Sequence, residues 1–368
     1  MNNQTPKKNN NSFFKSPLKL GGFKNGRFFL NLKKIVKDSP FLAILLAITF
    51  ILILAFVFYY NITDQELNWE SSVIHQTNPH SYRLLDGRAA KAEKSALKPL
   101  AVMLENHVES RPVAGLEAAS IIYEVIVEGD ITRYLAIFDQ EVEAPKIGPV
   151  RSARPFFVDL AQEWNPVYFH AGGSQAAIDQ LRWSKMININ EISGAGIYFW
   201  RDPNRDQPHD LFTSADLMRR AVLAKEIETE ADFLPWLFKN DRPAEESELV
   251  AEIEVNFLAN PWYQVGYQYN KDNNDYTRYL AGKIHKTEKG IILKANNIVI
   301  QHVNYKVIDS YGRLDIDLTS GGEAEIYQDG RKIEGFWRKT NGRTKFYDQT
   351  DKEVKFNRGR IWIELVFD

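Results

Sequence analysis

The sequence of 368 residues predicts a membrane-anchored protein. Its exported part begins with an α/β (or α+β) mixed-sheet domain and ends in a smaller all-β domain. Three observations carry this expectation. Residues 41–60, FLAILLAITFILILAFVFYY, hold no charge and one aliphatic hydroxyl, Thr49. Twenty helical residues at about 1.5 Å each span the ~30 Å hydrocarbon core of a bilayer. Residues 98–228 alternate strand-like runs with capped helical ones. From residue 250 onward the texture becomes short alternating runs, punctuated by Asp-Asn-Asn, Asp329-Gly330 and Asn341-Gly342 turns.

The tail, residues 1–40, carries Lys7, Lys8, Lys15, Lys19, Lys24, Arg27, Lys33, Lys34 and Lys37 against the single acid Asp38. Positive charge beside a short flank stays on the cytoplasmic side. The tail is therefore expected inside and the C-terminal domains outside, with Tyr59 and Tyr60 as interfacial aromatics. The following NITDQ offers no small-x-small cleavage site, which favours a retained signal anchor over a cleaved signal peptide. The start, MNNQTPKKNNN, reads as disordered.

The chain has no cysteine, so neither disulfides nor a lipidated N-terminal thiol is available. Its net charge is −2; without the nine basic and one acidic residues of the tail, 37 basic and 47 acidic remain, or −10. That balance argues against nucleic acid as a partner. No cofactor is expected.

Residues 61–97 read as a polar stalk, with one short helix between Ala89 and Leu97. In the 98–228 domain, LAVMLEN after Pro99 is a buried-strand pattern. SIIYEVIVEGDITRYLAIFDQ is a hairpin around Gly129-Asp130. RSARPFFVDLAQEW is helical, with Ser152 a candidate N-cap and Pro155 acceptable in the first turn. PVYFHAGGSQAAIDQLR is a strand, a Gly-Gly turn and a helix capped by Ser174. TSADLMRRAVLAKEIE is a helix capped by Thr213 or Ser214. FLPWLFKNDRPAEESE marks a linker at 229–249, and 250–368 forms the all-β domain.

Four groups of residues could carry chemistry. With a two-residue hairpin turn, Glu124 and Glu128 share a strand face, and Arg133 lies diagonally between them. They form an acid/base or cation site, or else an ion-pair cluster on a solvated face. Arg151, Ser152 and Arg154 sit at a helix start, where two guanidiniums and free N–H groups make an anion receptor; structural ion pairs with Glu124, Glu128 or Asp159 are the alternative. His170, Gly172, Gly173 and Ser174 form a strand end and helix start of the kind that holds ligands in α/β folds. His170 is as readily a structural residue. The pattern lacks the P-loop lysine, GxGxxG and G-x-S-x-G. Glu105, Asn106 and His107 end the first strand as a polar cluster, and His209-Asp210 lie in a turn-rich loop able to reach the same place. Seven histidines with neither HxH nor HExxH spacing give no expectation of a metal site. The catalytic candidates are Glu124, Glu128 and His170; the ligand-binding ones are Glu105, Asn106, Arg133, Arg151, Ser152, Arg154, Gly172, Gly173, Ser174 and His209.

Taken together, PLAVMLENHVESRPVAGLEAASIIYEVIVEGDITRYLAIF, GPVRSARPFFVDLA and HAGGS resemble the YerB-like family of Gram-positive envelope proteins. NNIVIQHV, IDSYGRLDIDLTSGGEAEIYQDGRKIEGFW and GRIWIELV resemble that family's C-terminal domain, so the likeness covers residues 98–368. The resemblance implies an envelope location, in the neighbourhood of wall-synthesis enzymes, and no reaction. The family's usual lipidated cysteine is missing, and the apolar run takes its place. The expected function is a membrane-anchored extracytoplasmic binding or scaffold protein, recognising an anionic wall component or a wall-synthesis partner. The alternative is an enzyme on cell-wall glycan or a lipid-linked phosphate precursor, using Glu124/Glu128 and Arg151/Arg154.

Overall fold

The computed structural model describes residues 41, 48–56, 81–245, 249–257 and 260–367. The chain divides into two units, residues 1–78 and 79–368. In the first, residues 41 and 48–56 are helical, with Phe50, Ile51 and Leu52 exposed. The tail, the rest of the apolar run and residues 61–80 lie outside the described residues. Among the described residues no helix is long and apolar enough to cross a membrane.

The second unit is framed by one mixed sheet. From the first half of the exported sequence come β1 (Leu100–Glu105), β2 (Ile121–Val127), β3 (Ile131–Phe138), β4 (Val167–His170) and β5 (Asn188–Asn190). A separate five-stranded sheet holds β6 (Glu252–Val255), β7 (Val265–Asn270), β8 (Asp275–Leu280), β9 (Lys283–Ile284) and β10 (Lys294–Ala295). Then β11 (Asn297–Val303), β12 (Gly322–Gln328), β13 (Arg331–Thr340), β14 (Arg343–Asp348) and β15 (Ile361–Phe367) join the first five strands. The ten-stranded order is β14-β13-β12-β11-β15-β2-β3-β1-β4-β5.

This order corrects the expected organisation. The C-terminal β region is not a sheet of its own, because β15 lies parallel between β11 and β2. An apolar run such as RIWIELVF shows that a strand is buried on both faces, but not which strand it pairs with. Nor is 229–249 a free linker. Trp236 is buried against Trp164, Phe346 and Phe356, and its indole donates to the Thr344 carbonyl at 2.8 Å. Phe238–Lys239 pairs in parallel with Phe356–Asn357. The C-terminal part of the expected stalk also packs: Leu85 and Asp86 are buried, and Asp86 accepts from Ser120 and Arg83. In place of the helix expected near Ala89 stands one 3-10 turn, Ala92–Lys94.

Both faces of the large sheet are covered, as a strand run of this apolarity requires. One face packs on α1 (Pro155–Gln162) and α2 (Gln175–Trp183) through Phe156, Phe157, Leu160, Ala177 and Leu181. The other packs on α3 (Ala215–Ala224) and the five-stranded sheet through Met218, Val222, Tyr267 and Tyr276. Ser174 caps α2 at Ala177 N–H and Ser214 caps α3 at Leu217 N–H. The cap position of α1 is Arg154, not Ser152, with Pro155 in the first turn. The Asp329-Gly330 and Asn341-Gly342 turns join β12 to β13 and β13 to β14. All four residues have positive φ, which favours Gly, Asn and Asp there.

Candidate functional site

The β2–β3 register decides the site. A two-residue turn would set Arg133 opposite Ile126. Instead Val127 pairs with Ile131, Val125 with Arg133 and Glu124 with Tyr134, around a loop of Glu128, Gly129 and Asp130. A slip of one residue moves side chains to the other face. Arg133 therefore shares a face with Leu135 and Ile137, toward α1. Glu124 lies on the opposite face with Ile122 and Ile126. The predicted convergence of Glu124, Glu128 and Arg133 does not form.

Glu124 is instead sealed in the core. Its carboxylate accepts from Asn106 Nδ2 at 3.0 Å and from Thr132 Oγ1 at 2.5 Å, and it pairs with Arg278 from β8. Glu364 of β15 stands directly opposite Glu124 in register and accepts from the Tyr267 hydroxyl. Arg278 also lies 4.4 Å over the Trp362 ring and 2.5 Å from His285 Nδ1. Glu124, Arg278 and Glu364 are each 0 % exposed. Burial opposes the charge on Arg278, but Glu124, Tyr267 and the other acid hold its proton well above the ordinary range. Burial, then Arg278, pushes His285 well below its ordinary value, so it is neutral. Asn106, expected to bind ligand, belongs to this sealed group.

Glu364's carboxyl is pushed well above the usual range, by burial first and then by Glu124. The folded state therefore holds this proton more tightly than the unfolded chain does. That contribution is fully present below the unfolded value of about 4.5 and is lost as pH rises through the folded value. Glu364→Gln removes the ionisation and keeps the shape. We expect the melting temperature of the variant relative to wild type to rise between pH 5 and pH 8.5. A relative fall would mean that Glu364 works as an anion beside Arg278.

The arginines gather on the other face. Arg133 donates to the Ser152 carbonyl at 3.0 Å, so Ser152 contributes backbone and not its hydroxyl. Arg154, at the start of α1, bonds Glu128 at 2.6 Å. Arg151 bonds Glu105 at 2.6 Å. Burial brings the Arg133 proton down to about 10, and the charges of Arg154 and Arg151 push the same way against Glu105 and Glu128. Burial likewise opposes ionisation of Glu128, but Arg154 holds its carboxyl below the ordinary value. Two buried polar groups here have no partner: Arg151 Nε and the Tyr168 hydroxyl. Tyr168 is raised by burial, and Arg133 and Arg154 are the charges acting on it. Three guanidiniums against two carboxylates leave an excess of one positive charge at a helix start.

His170 is beside this group without joining it. Its Nδ1 lies 2.7 Å from the Gly172 carbonyl and its Nε2 3.3 Å from Asn188 Oδ1, with the ring on Tyr168. Burial lowers its pKa. Both ring nitrogens are occupied, so its place is structural. Gly172 and Gly173 also serve the chain itself. Gly172 has φ +63, and a Cβ there would meet Ile192 at 2.7 Å; at Gly173 it would meet the Ala153 carbonyl at 3.2 Å. The close approach permitted at Gly172 is that of Ile192, and at Gly173 that of Ala153, which runs alongside.

His209 reaches Glu105, with Nδ1 2.7 Å from Oε2. Sequence reasoning missed Arg278, Glu364 and Tyr168. The signal was present for two of them: Glu364 is the lone acid within IWIELVF, and Arg278 stands in phase with the buried Tyr276 and Leu280 on one strand face. Two surface depressions lie elsewhere, one lined by Arg242, Val250, Arg331 and Lys332, the other between Asp159, Tyr305, Asp317 and Lys339. Their openness to solvent and lack of unpartnered buried donors make them weaker candidates than the arginine group.

A mixed ten-stranded sheet shared by two sequence segments, with an arginine group at the start of one helix, defines the class. Residues 85–228 match the N-terminal domain, and residues 253–363 the C-terminal domain, described as Protein of unknown function (DUF3048). The chain belongs to this family. It is 34% identical over 319 residues to YerB of Bacillus subtilis (strain 168), named as a candidate lipoprotein, covering 86% of this chain and 94% of the relative. The crystal structure of the Bacillus subtilis YerB protein is similar at a TM-score of 0.69 and 33% identity, over 77% of this chain and 96% of that one.

Proposed function

We propose that this chain is a binding protein of the bacterial cell envelope, and that Arg133, Arg151 and Arg154 receive an anionic group of a wall polymer or a wall-synthesis partner. The observation that carries the reading is the excess of guanidinium at the start of α1, with Arg151 Nε and the Tyr168 hydroxyl left unpartnered. An anion relieves the mutual repulsion of the three cations. One membrane span at 41–60 holds the protein, with the N-terminus cytoplasmic and the C-terminal region outside. The tail charges support that orientation, and the apolar run substitutes for the lipid suggested by the relative's name. The enzyme reading has lost its carboxylate pair, since Glu124 is sealed and Glu128 is bonded to Arg154.

The test is a calorimetric titration of the full chain in detergent with inorganic pyrophosphate. Binding should weaken with added salt. Arg154→Gln should weaken it about tenfold while costing about 1 kcal/mol of stability, because its partner Glu128 keeps access to solvent. Equal affinity of variant and wild type would remove the site.

A further inference from the structure

The spacing rules that speak against a metal consider ligands close in sequence. The fold brings together three that are not. His107 and Glu109 follow β1, and His209 lies in the loop before the short strand Leu211–Phe212. One donor atom from each falls within 4.8 Å of the others. The two imidazole rings lie 5.2 Å apart between centroids and within 8° of parallel. Nε2 of His209 is 3.4 Å from Glu109 Oε2, and Nδ1 of His107 is 3.7 Å from the same oxygen.

The surroundings of His209 are those of a metal ligand. Its Nδ1 faces the buried carboxylate of Glu105 at 2.7 Å, and Arg151 holds that carboxylate from the other side at 2.6 Å. Nδ1–H donating to Glu105 leaves the Nε2 lone pair directed at Glu109. Carboxylate–histidine pairs of this kind fix the tautomer and raise the basicity of the ligating nitrogen.

We propose that His107, Glu109 and His209 form a divalent metal site of the His-His-carboxylate type, with Zn²⁺ the best-matched ion and a coordination position left open. Two nitrogens and one oxygen suit zinc and its transition-metal neighbours, whereas calcium and magnesium take oxygen sets. Tetrahedral bonds of 2.0–2.1 Å require donors about 3.4 Å apart, so the group must tighten. The Glu109 side chain is 74 % exposed and free to make that movement. Coordination through His107 Nδ1 displaces only a 3.3 Å bond from the Glu109 backbone N–H. The proposal is independent of the anion reading, because the metal is tested alone.

The experiment uses the full chain without a histidine tag, in detergent and stripped with EDTA. Titration with ZnCl₂ should show a single saturable equivalent, and Co²⁺ should give the visible absorption of a four-coordinate centre. Glu109→Gln, at an exposed position that does not threaten folding, and His209→Gln should each weaken zinc binding at least about tenfold, and Glu105→Gln about tenfold through its hold on His209. Absence of saturable binding, or unchanged affinity in Glu109→Gln and His209→Gln, overturns the proposal.

Discussion

Residues 250–368 expressed alone will not fold. Their strand β15 is the middle of the large sheet, and one of its edges is satisfied by β2 from the other segment. Ile361, Ile363 and Leu365 are fully buried, each worth roughly 1.5–3 kcal/mol on burial, and much of their cover comes from Tyr123, Val125 and Leu135. Removal of the first segment also strips Trp164 from Arg343, whose guanidinium lies 3.3 Å over that ring, and Glu163 from Thr344. It leaves Arg278 buried without Glu124. Such a fragment exposes a long apolar edge, the usual route to aggregation. Residues 81–368 should melt in one transition, and the fragment should give no cooperative transition by circular dichroism. A well-dispersed, cooperatively melting fragment would show that the sheet divides.

Arg278→Ala should be the most damaging single substitution. Arg278 joins the five-stranded sheet to both halves of the large one, through Glu124 on β2 and Glu364 on β15. Its loss leaves Glu124 facing Glu364 with no cation between them. Breaking a buried pair by removing one partner costs about 3–5 kcal/mol. At this chain length that lowers the melting temperature by on the order of 10 °C. Arg182→Ala, which removes a solvent-exposed pair with Asp179 three residues away, should change stability by less than about 0.5 kcal/mol. Adding Glu124→Gln should recover part of the Arg278→Ala loss, because the stranded charge is removed. A loss of under about 1 kcal/mol in Arg278→Ala would mean that water reaches the cluster.

Local chemistry was legible where one residue type decides it. Ser174 and Ser214 cap helices, and Asp329-Gly330 and Asn341-Gly342 turn hairpins, because few other residues fit those backbone positions. Partner choice was not legible. β15 reads as a buried strand wherever it sits, so its place beside β2 needed the whole fold. The β2–β3 loop is longer by one residue than the Gly129-Asp130 pair suggests, and period-two alternation magnifies that single residue into a change of face for Arg133. Arg151 and Arg154 were found because two cations beside a helix-starting proline are conspicuous in a chain of net negative charge. His107 and His209 could not be joined from spacing, since the loop carrying His209 returns over the end of β1 only in three dimensions.

The most direct measurement of the arginine reading is a crystal soaked in sodium tungstate, a tetrahedral dianion whose position is read from anomalous scattering. The account predicts a peak about 4 Å from the guanidinium nitrogens of Arg133, Arg151 and Arg154, which places tungstate oxygens within about 3 Å of them, beside the Tyr168 hydroxyl. Peaks only at surface lysines, with the three guanidiniums bare, would contradict it.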